Sequence, residues 1–192
     1  MAETLLKLSG MSTGVSFEVN SDDGIIQNTA KSDMIFFVGP GDAMLSVGTW
    51  TLTRVAAGDW CQRKSAADQT AYVAFDLSDL IRTTASKGLK INSIDYVYQI
   101  TAGALDAHSC VLKSSTHANN VANAIADHGG TLTGTCATAT QTNPYVTNIS
   151  CGTAAFNNTA KSKIIFEATV DAGAASVYSV YGLFVNCSMN LN

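Results

Sequence analysis

The closing stretch "SVYSVYGLFVNCSMNLN" limits the fold more than any other part of the chain. Taking every second residue from Val177 gives Val177, Ser179, Tyr181, Leu183, Val185, Cys187, Met189 and Leu191. The other set holds Tyr178, Val180 and Phe184 and then turns polar at Ser188 and Asn190. A two-residue period is the side-chain alternation of a β-strand, whereas a helix would space its apolar residues by three and four. The pattern predicts one long strand, buried on the odd-numbered face and pinned in a sheet almost to the last residue.

Similar alternation recurs upstream. In "GLKINSIDYVYQIT" the residues Ile94, Tyr96, Tyr98 and Ile100 share one side, and Ser93, Asp95 and Gln99 the other. Val73, Phe75 and Leu77 fall together, as do His108, Cys110 and Leu112. Trp50, Leu52 and Arg54 oppose Thr51, Thr53 and Val55, which places Trp50 in the core. Gly, Asp, Asn or Ser bounds each run, as is usual for strands. One short helix is predicted near residues 78–87: Ser78 can cap it, Asp79 suits its positive end, and Gly88 stops it. "THANNVANAIADHGG" reads equally as a further helical turn around Val121 and Ile125 or as a long polar loop. Pro40 and Pro144, the two prolines, both sit in turn-like settings, which fits strands that need their amide donors.

The expected fold class is therefore all-β: an antiparallel β-sandwich of about eight to ten strands, of the jelly-roll type, with that one helix. Residues 1–12 read as an N-terminal arm carrying Leu5, Leu6 and Leu8, and residues 13–192 as a single sandwich domain.

A repeat adds to this picture. "NTAKSDMIF" at 28–36 and "NTAKSKIIF" at 158–166 share seven of nine residues, and Ser46-Val47 and Ser176-Val177 follow at the same offset of 130. Two loop-strand-loop-strand units of matched length are implied, either as a duplicated β-hairpin or as two equivalent hairpins in one sandwich.

Charge narrows the partners. Charged residues make up 14% of the chain, against about 25% in an ordinary soluble domain. A surface so poor in Lys and Glu resembles an interface, where charge is depleted, and points to assembly. The net charge of −4, with basic residues scattered, argues against nucleic acid. No run of about 18 apolar residues exists, so no membrane span is expected. The opening "MAETLLKLSGMSTG" lacks the features of a secretory signal. The five cysteines contain no C-x-x-C pair and are expected as packed small hydrophobes in a protein made in a reducing cytoplasm.

Reactive constellations are sparse. "GMSTG" at 10–14 fits the G-x-S-x-G elbow, but only nine residues precede it, so Ser12 is read as part of a flexible arm. His108 and Cys110 could offer same-face metal donors, yet zinc sites usually carry a second ligand pair and none is visible, so His108 reads as a packed strand residue. His117 and His128 add no spacing pattern, and "SDDG" at 21–24 reads as a turn. No catalytic, cofactor-binding or metal-binding residue is assigned, and no enzyme is expected. Exposed aromatics on a sandwich can stack on sugars; Trp60, Tyr72 and Tyr145 are the rings to test.

The segments "GTWTLTRVAAGDW", "AYVAFDLSDLIRTTASKGLKINSIDYVYQI" and "ALDAHSCVLKSS" resemble small β-rich virion structural proteins of tailed phages and environmental viral genomes. "RTTASKGLKINSID" (82–95) is the most distinctive part, and the likeness extends over 48–115 and loosely to the last strand. It implies a jelly-roll-like virion structural protein: a capsid decoration or cement subunit located in the virion, partnered by itself, as a trimer for example, and by the major capsid or other virion proteins. The alternative expectation is a carbohydrate- or receptor-binding β-sandwich module, such as a fibre or adhesion domain.

Overall fold

A strand that is apolar on one side needs a second layer to cover that side. The chain supplies it by folding one antiparallel sheet over another. In a computed structural model the residues described are 17–20, 25–28, 33–55, 58–64, 69–82, 88–116, 125–127, 134–152, 155–157, 162–173 and 175–190. The early strands are β1 (Phe17–Asn20), β2 (Ile25–Asn28), β3 (Asp33–Val38), β4 (Met44–Ser46), β5 (Trp50–Arg54) and β6 (Trp60–Lys64). β7 (Gln69–Asp76) leads through α1 (Ser78–Arg82) to β8 (Gly88–Ala102), β9 (Leu105–Thr116) and β10 (Ile125–Asp127). β11 (Tyr145–Ser150), β12 (Ala155–Asn157), β13 (Ser162–Ala172) and β14 (Val177–Asn190) complete the order.

Among the described residues one sheet has five strands in the order β10-β9-β13-β7-β4. The other has seven: β11-β8-β14-β6-β5, with β12 added on β8 and β3 on β14. β1 and β2 pair with each other separately. Within this frame β6-β14-β8-β11 face β7-β13-β9-β10, and the chain changes sheet at every step but β9 to β10. That is the jelly-roll path, and the expected fold class holds.

The core lies between the sheets. Val73, Phe75 and Leu77 meet Ile94, Tyr96, Tyr98, Ile100, Phe166, Leu183 and Val185, all buried. Each fully buried large apolar side chain contributes about 1.5–3 kcal/mol.

Several expectations are corrected. The strict alternation of the last strand fails at Gly182. Val180 pairs with Tyr98 and Gly182 with Val97, so Tyr181 is an extra, bulged residue. Tyr178 and Val180 therefore face the core ahead of the bulge, and Leu183, Val185 and Cys187 after it. Trp50 and Leu52 do not share one fate: on edge strand β5, Trp50 is half-buried and Leu52 exposed.

The helix is shorter than expected over the described residues, and 83–87 lie outside them. Ser78 is not its cap. Its Oγ accepts from the Ile164 amide of β13 at 3.0 Å, while Asp76 Oδ1 accepts from the Ser78 amide at 2.9 Å. The segment read as helix or loop contains β10, which pairs with β9.

The repeat does not form two hairpins. β3 pairs with β14 and β13 with β7 and β9, so neither unit's two strands pair with each other. The strands that follow the two Ser-Val pairs also differ in place: β3 and β5 both lie in the seven-stranded sheet, whereas β13 and β14 lie in opposite sheets. What the two copies share is local phase: Phe36 and Phe166 both pack on the core. The arm at 1–12, Ser12, "SDDG", His117 and His128 fall outside the described residues.

Candidate functional site

The outward side of the seven-stranded sheet gathers aromatic rings. Phe37 on β3 and Phe184 on β14 are register partners, and their ring centroids lie 4.9 Å apart. The bulge turns Tyr181 away from the core, where its hydroxyl donates to Gln99 Oε1 at 3.0 Å. Gly182 makes this packing possible. Its φ is +123°, and a Cβ there would run into the Val38 carbonyl and come within 3.1 Å of the Phe37 ring. Trp60 enters from β6, Pro40 from the 3-10 turn Pro40–Asp42, and Pro144 from the approach to β11. Together with Asp59 and Val97 they line an open pocket of about 300 Å³.

Tyr181 is buried, and the other three rings stand clear of the core. Phe37 is 57% exposed, Trp60 50% and Phe184 39%, with Ile35 beside them at 68%. Contiguous exposed apolar surface of this kind marks an interaction site.

A polar clamp borders the rings. Asp95 on β8 is the register partner of Phe184. Asn148 Nδ2 donates to Asp95 Oδ1 at 2.5 Å, and Asn186 Nδ2 donates to Oδ2 at 2.9 Å. Asn186 also lies 3.2 Å from Ser93 Oγ, so both amides are held by their nitrogens. The surface thus offers flat apolar rings beside oriented oxygens and amides, the usual composition of a small-ligand site.

Of the three rings singled out in the sequence, only Trp60 belongs to this pocket. Tyr72 lies on the outward side of the five-stranded sheet, in a shallower groove with Met44, Lys113 and Glu167. Tyr145 packs on Tyr98 with centroids 5.7 Å apart. Phe37, Tyr181 and Phe184 were missed; the glycine inside an otherwise apolar strand was the available signal.

A second constellation lies in the interior. His108 and Cys110 of β9 meet Cys136 of the 134–144 segment, and their donor atoms all lie within 4.8 Å of one another. That segment is tied to both sheets: Leu105 N–H donates to Thr138 O at 2.8 Å, and Gln141 N–H to Ile100 O at 2.9 Å. His108 Nδ1 is 3.1 Å from the Ala137 carbonyl. A carbonyl only accepts, so Nδ1 carries the imidazole proton, and Nε2 lies 3.0 Å from the Tyr178 hydroxyl. The Tyr178 and Tyr96 hydroxyls lie 2.9 Å apart. Tyr98 Oη accepts from the Ala137 amide at 2.6 Å and lies 3.1 Å from Thr147 Oγ1.

Burial governs these groups. It holds His108 down at about 4, and so neutral, and pushes Tyr98 up to about 12. Tyr96 and Tyr178 also rise, chiefly through desolvation. The two sulfurs lie 3.1 Å apart, in hydrogen-bond contact. Hydrogen bonding to Cys136 raises the Cys110 thiol, and accepting that bond lowers Cys136.

No protein-family model matches the chain, and no curated protein matches it. Among solved structures it is similar to the CBM22-1–GH10 modules of the Clostridium thermocellum endo-1,4-β-D-xylanase 10B complexed with xylohexaose. That similarity has a TM-score of 0.40 and 9% identity, over 80% of this chain and 28% of that one. It is also similar to a structure describing the promiscuous specificity of carbohydrate-binding modules from the β-sandwich superfamily. There the TM-score is 0.36 and the identity 12%, over 89% of this chain and 62% of that one. The chain thus spans less than two thirds of each neighbour's length.

Proposed function

We propose that this protein is a carbohydrate-binding β-sandwich module that holds sugar on the outward side of its seven-stranded sheet. One observation carries the reading: Phe37, Trp60, Tyr181 and Phe184 converge on one open pocket beside the Asp95 clamp. A pyranose presents C–H groups of slight positive charge from its flat side, and an aromatic face is negative. Its hydroxyls need donors and acceptors at the edge of that stack, which Asp59, Asp95 and the two amides supply. This is a binding role, and no bond-breaking step is assigned to any residue.

Calorimetric titration of the purified protein with neutral oligosaccharides tests it. Saturable binding is expected, together with a change in tryptophan fluorescence. A folded protein that binds none of a broad glycan panel would falsify the reading.

The exposed apolar side chains Ile35, Phe37 and Val146 also support a second reading, a virion decoration subunit that buries this side against another copy or a shell protein. Sedimentation separates the two. The second reading requires a stable oligomer, a trimer for instance, that Ile35→Asp disperses. A monomer at all concentrations removes it.

A further inference from the structure

We infer that His108, Cys110 and Cys136 form a binding site for a thiophilic divalent metal ion of the zinc class. The site is distinct from the outward pocket and does not depend on what that pocket binds. Three donors from two distant parts of the chain converge inside the sandwich, all within 4.8 Å of one another. A tetrahedral zinc ion spaces its nitrogen and sulfur ligands roughly 3.5–3.8 Å apart, from bond lengths of about 2.0 and 2.3 Å. The two sulfurs, 3.1 Å apart, need to separate by only a fraction of an ångström.

The imidazole is already set for the task. A metal-bound histidine almost always donates its other ring N–H to a carbonyl or carboxylate. Here Nδ1 faces the Ala137 carbonyl at 3.1 Å, which leaves the Nε2 lone pair available to an ion. Tyr178, now 3.0 Å from that nitrogen, keeps Tyr96 as a partner when an ion replaces it.

The donor set selects the ion. Two thiolates and an imidazole without a carboxylate favour zinc-like or softer metals over magnesium or calcium. Two thiolate charges cancel a divalent ion, so a neutral unit enters the low-dielectric interior. The third donor also separates this reading from a cross-link: a Cys110–Cys136 disulfide needs no oriented imidazole. The ion would staple the 134–144 segment to β9, fixing a strip of chain that bonds both sheets.

The full chain, purified anaerobically with reductant and stripped by a chelator, is titrated with cobalt(II). Saturation at one equivalent is expected, with a thiolate-to-cobalt charge-transfer band and tetrahedral ligand-field bands, both erased by zinc. Cys110→Ser and Cys136→Ser should lose the charge-transfer intensity, and Cys151→Ser should keep it. His108→Ala should weaken cobalt binding by about 100-fold or more, beyond the loss expected for an orienting partner alone. No charge-transfer band in the wild-type protein, a band that survives in Cys110→Ser/Cys136→Ser, or a Cys110–Cys136 cross-link in the anaerobic peptide map would each overturn the site.

Discussion

The two outward sides of this sandwich share a core and differ in what they show to water. Across the five-stranded sheet, polar side chains pair with one another: Lys113 Nζ lies 2.6 Å from Glu167 Oε1, and Thr70 donates to Asp171 Oδ1 at 3.1 Å. Its large exposed apolar groups, Met44 and Tyr72, sit toward the β4 edge. Across the seven-stranded sheet Ile35 and Phe37 stand exposed on β3, Val146 on β11 and Phe184 on the central strand β14. Both sheets obey the same alternation, because the core imposes it. The outward positions are free of that demand, so their chemistry records what the protein meets.

The inward side sets the scale. Phe166 is fully buried between the sheets, and Phe166→Ala should cost about 3–5 kcal/mol through lost burial and an unfilled cavity. Phe37→Ala, on a ring already half in water, should cost under about 1 kcal/mol of stability. Denaturant midpoints measure both. Equal losses would mean that Phe37 belongs to the fold rather than to a binding surface.

The next largest effect concerns the device that separates inside from outside. Gly182→Ala forces a side chain into a φ of +123° and against the Val38 carbonyl. Strain of this type costs about 1–3 kcal/mol before the clash is added. The melting temperature should fall by several degrees, at about 2–4 °C per kcal/mol for a chain of this size. Sugar binding should fall with it, since Tyr181, Phe184 and Phe37 all take their places from the bulge. An unchanged melting temperature would mean that β3 does not dock on β14 as described.

How much of this could be read in the sequence follows from the range of each interaction. Strand alternation is local, so the inward set Ile94, Tyr96, Tyr98 and Ile100 was legible, as was Val73 with Phe75 and Leu77. The partners of a strand are not local. The duplicated nine residues therefore suggested hairpins, although the copies lie in opposite sheets. A single bulge shifts every later residue by one place, so half of the last strand was assigned to the wrong side. The pocket draws on β3, β6, β8 and β14, and alternation alone cannot tell which outward rings will meet. Cys136 sits in an irregular segment 26 residues from Cys110, where no period links it to the His108 side of β9.

Trp60→Ala probes the outward pocket with little help from the fold, because half of the ring is exposed. A stacked aromatic anchor typically contributes more than about 1 kcal/mol to binding, so affinity should drop about tenfold while stability changes by under about 1 kcal/mol. Tyr72→Ala, on the other sheet, should leave affinity unchanged. If Tyr72→Ala weakens binding and Trp60→Ala does not, the ligand sits on the five-stranded sheet and the two sides exchange roles.

The smallest effect is expected from the charge pair on the five-stranded sheet. Lys113 and Glu167 touch at 2.6 Å, yet both side chains reach solvent, at 32% and 19% exposure. Pairs of this kind contribute about 0.2–1 kcal/mol in double-mutant cycles, because water and salt screen them. Lys113→Ala, Glu167→Ala and the double variant should therefore give a coupling below about 1 kcal/mol that shrinks as salt is added. None of the three should alter sugar affinity. A coupling of several kcal/mol, insensitive to salt, would mean that this pair is shielded by a partner, and the five-stranded sheet would then be the covered side of the sandwich.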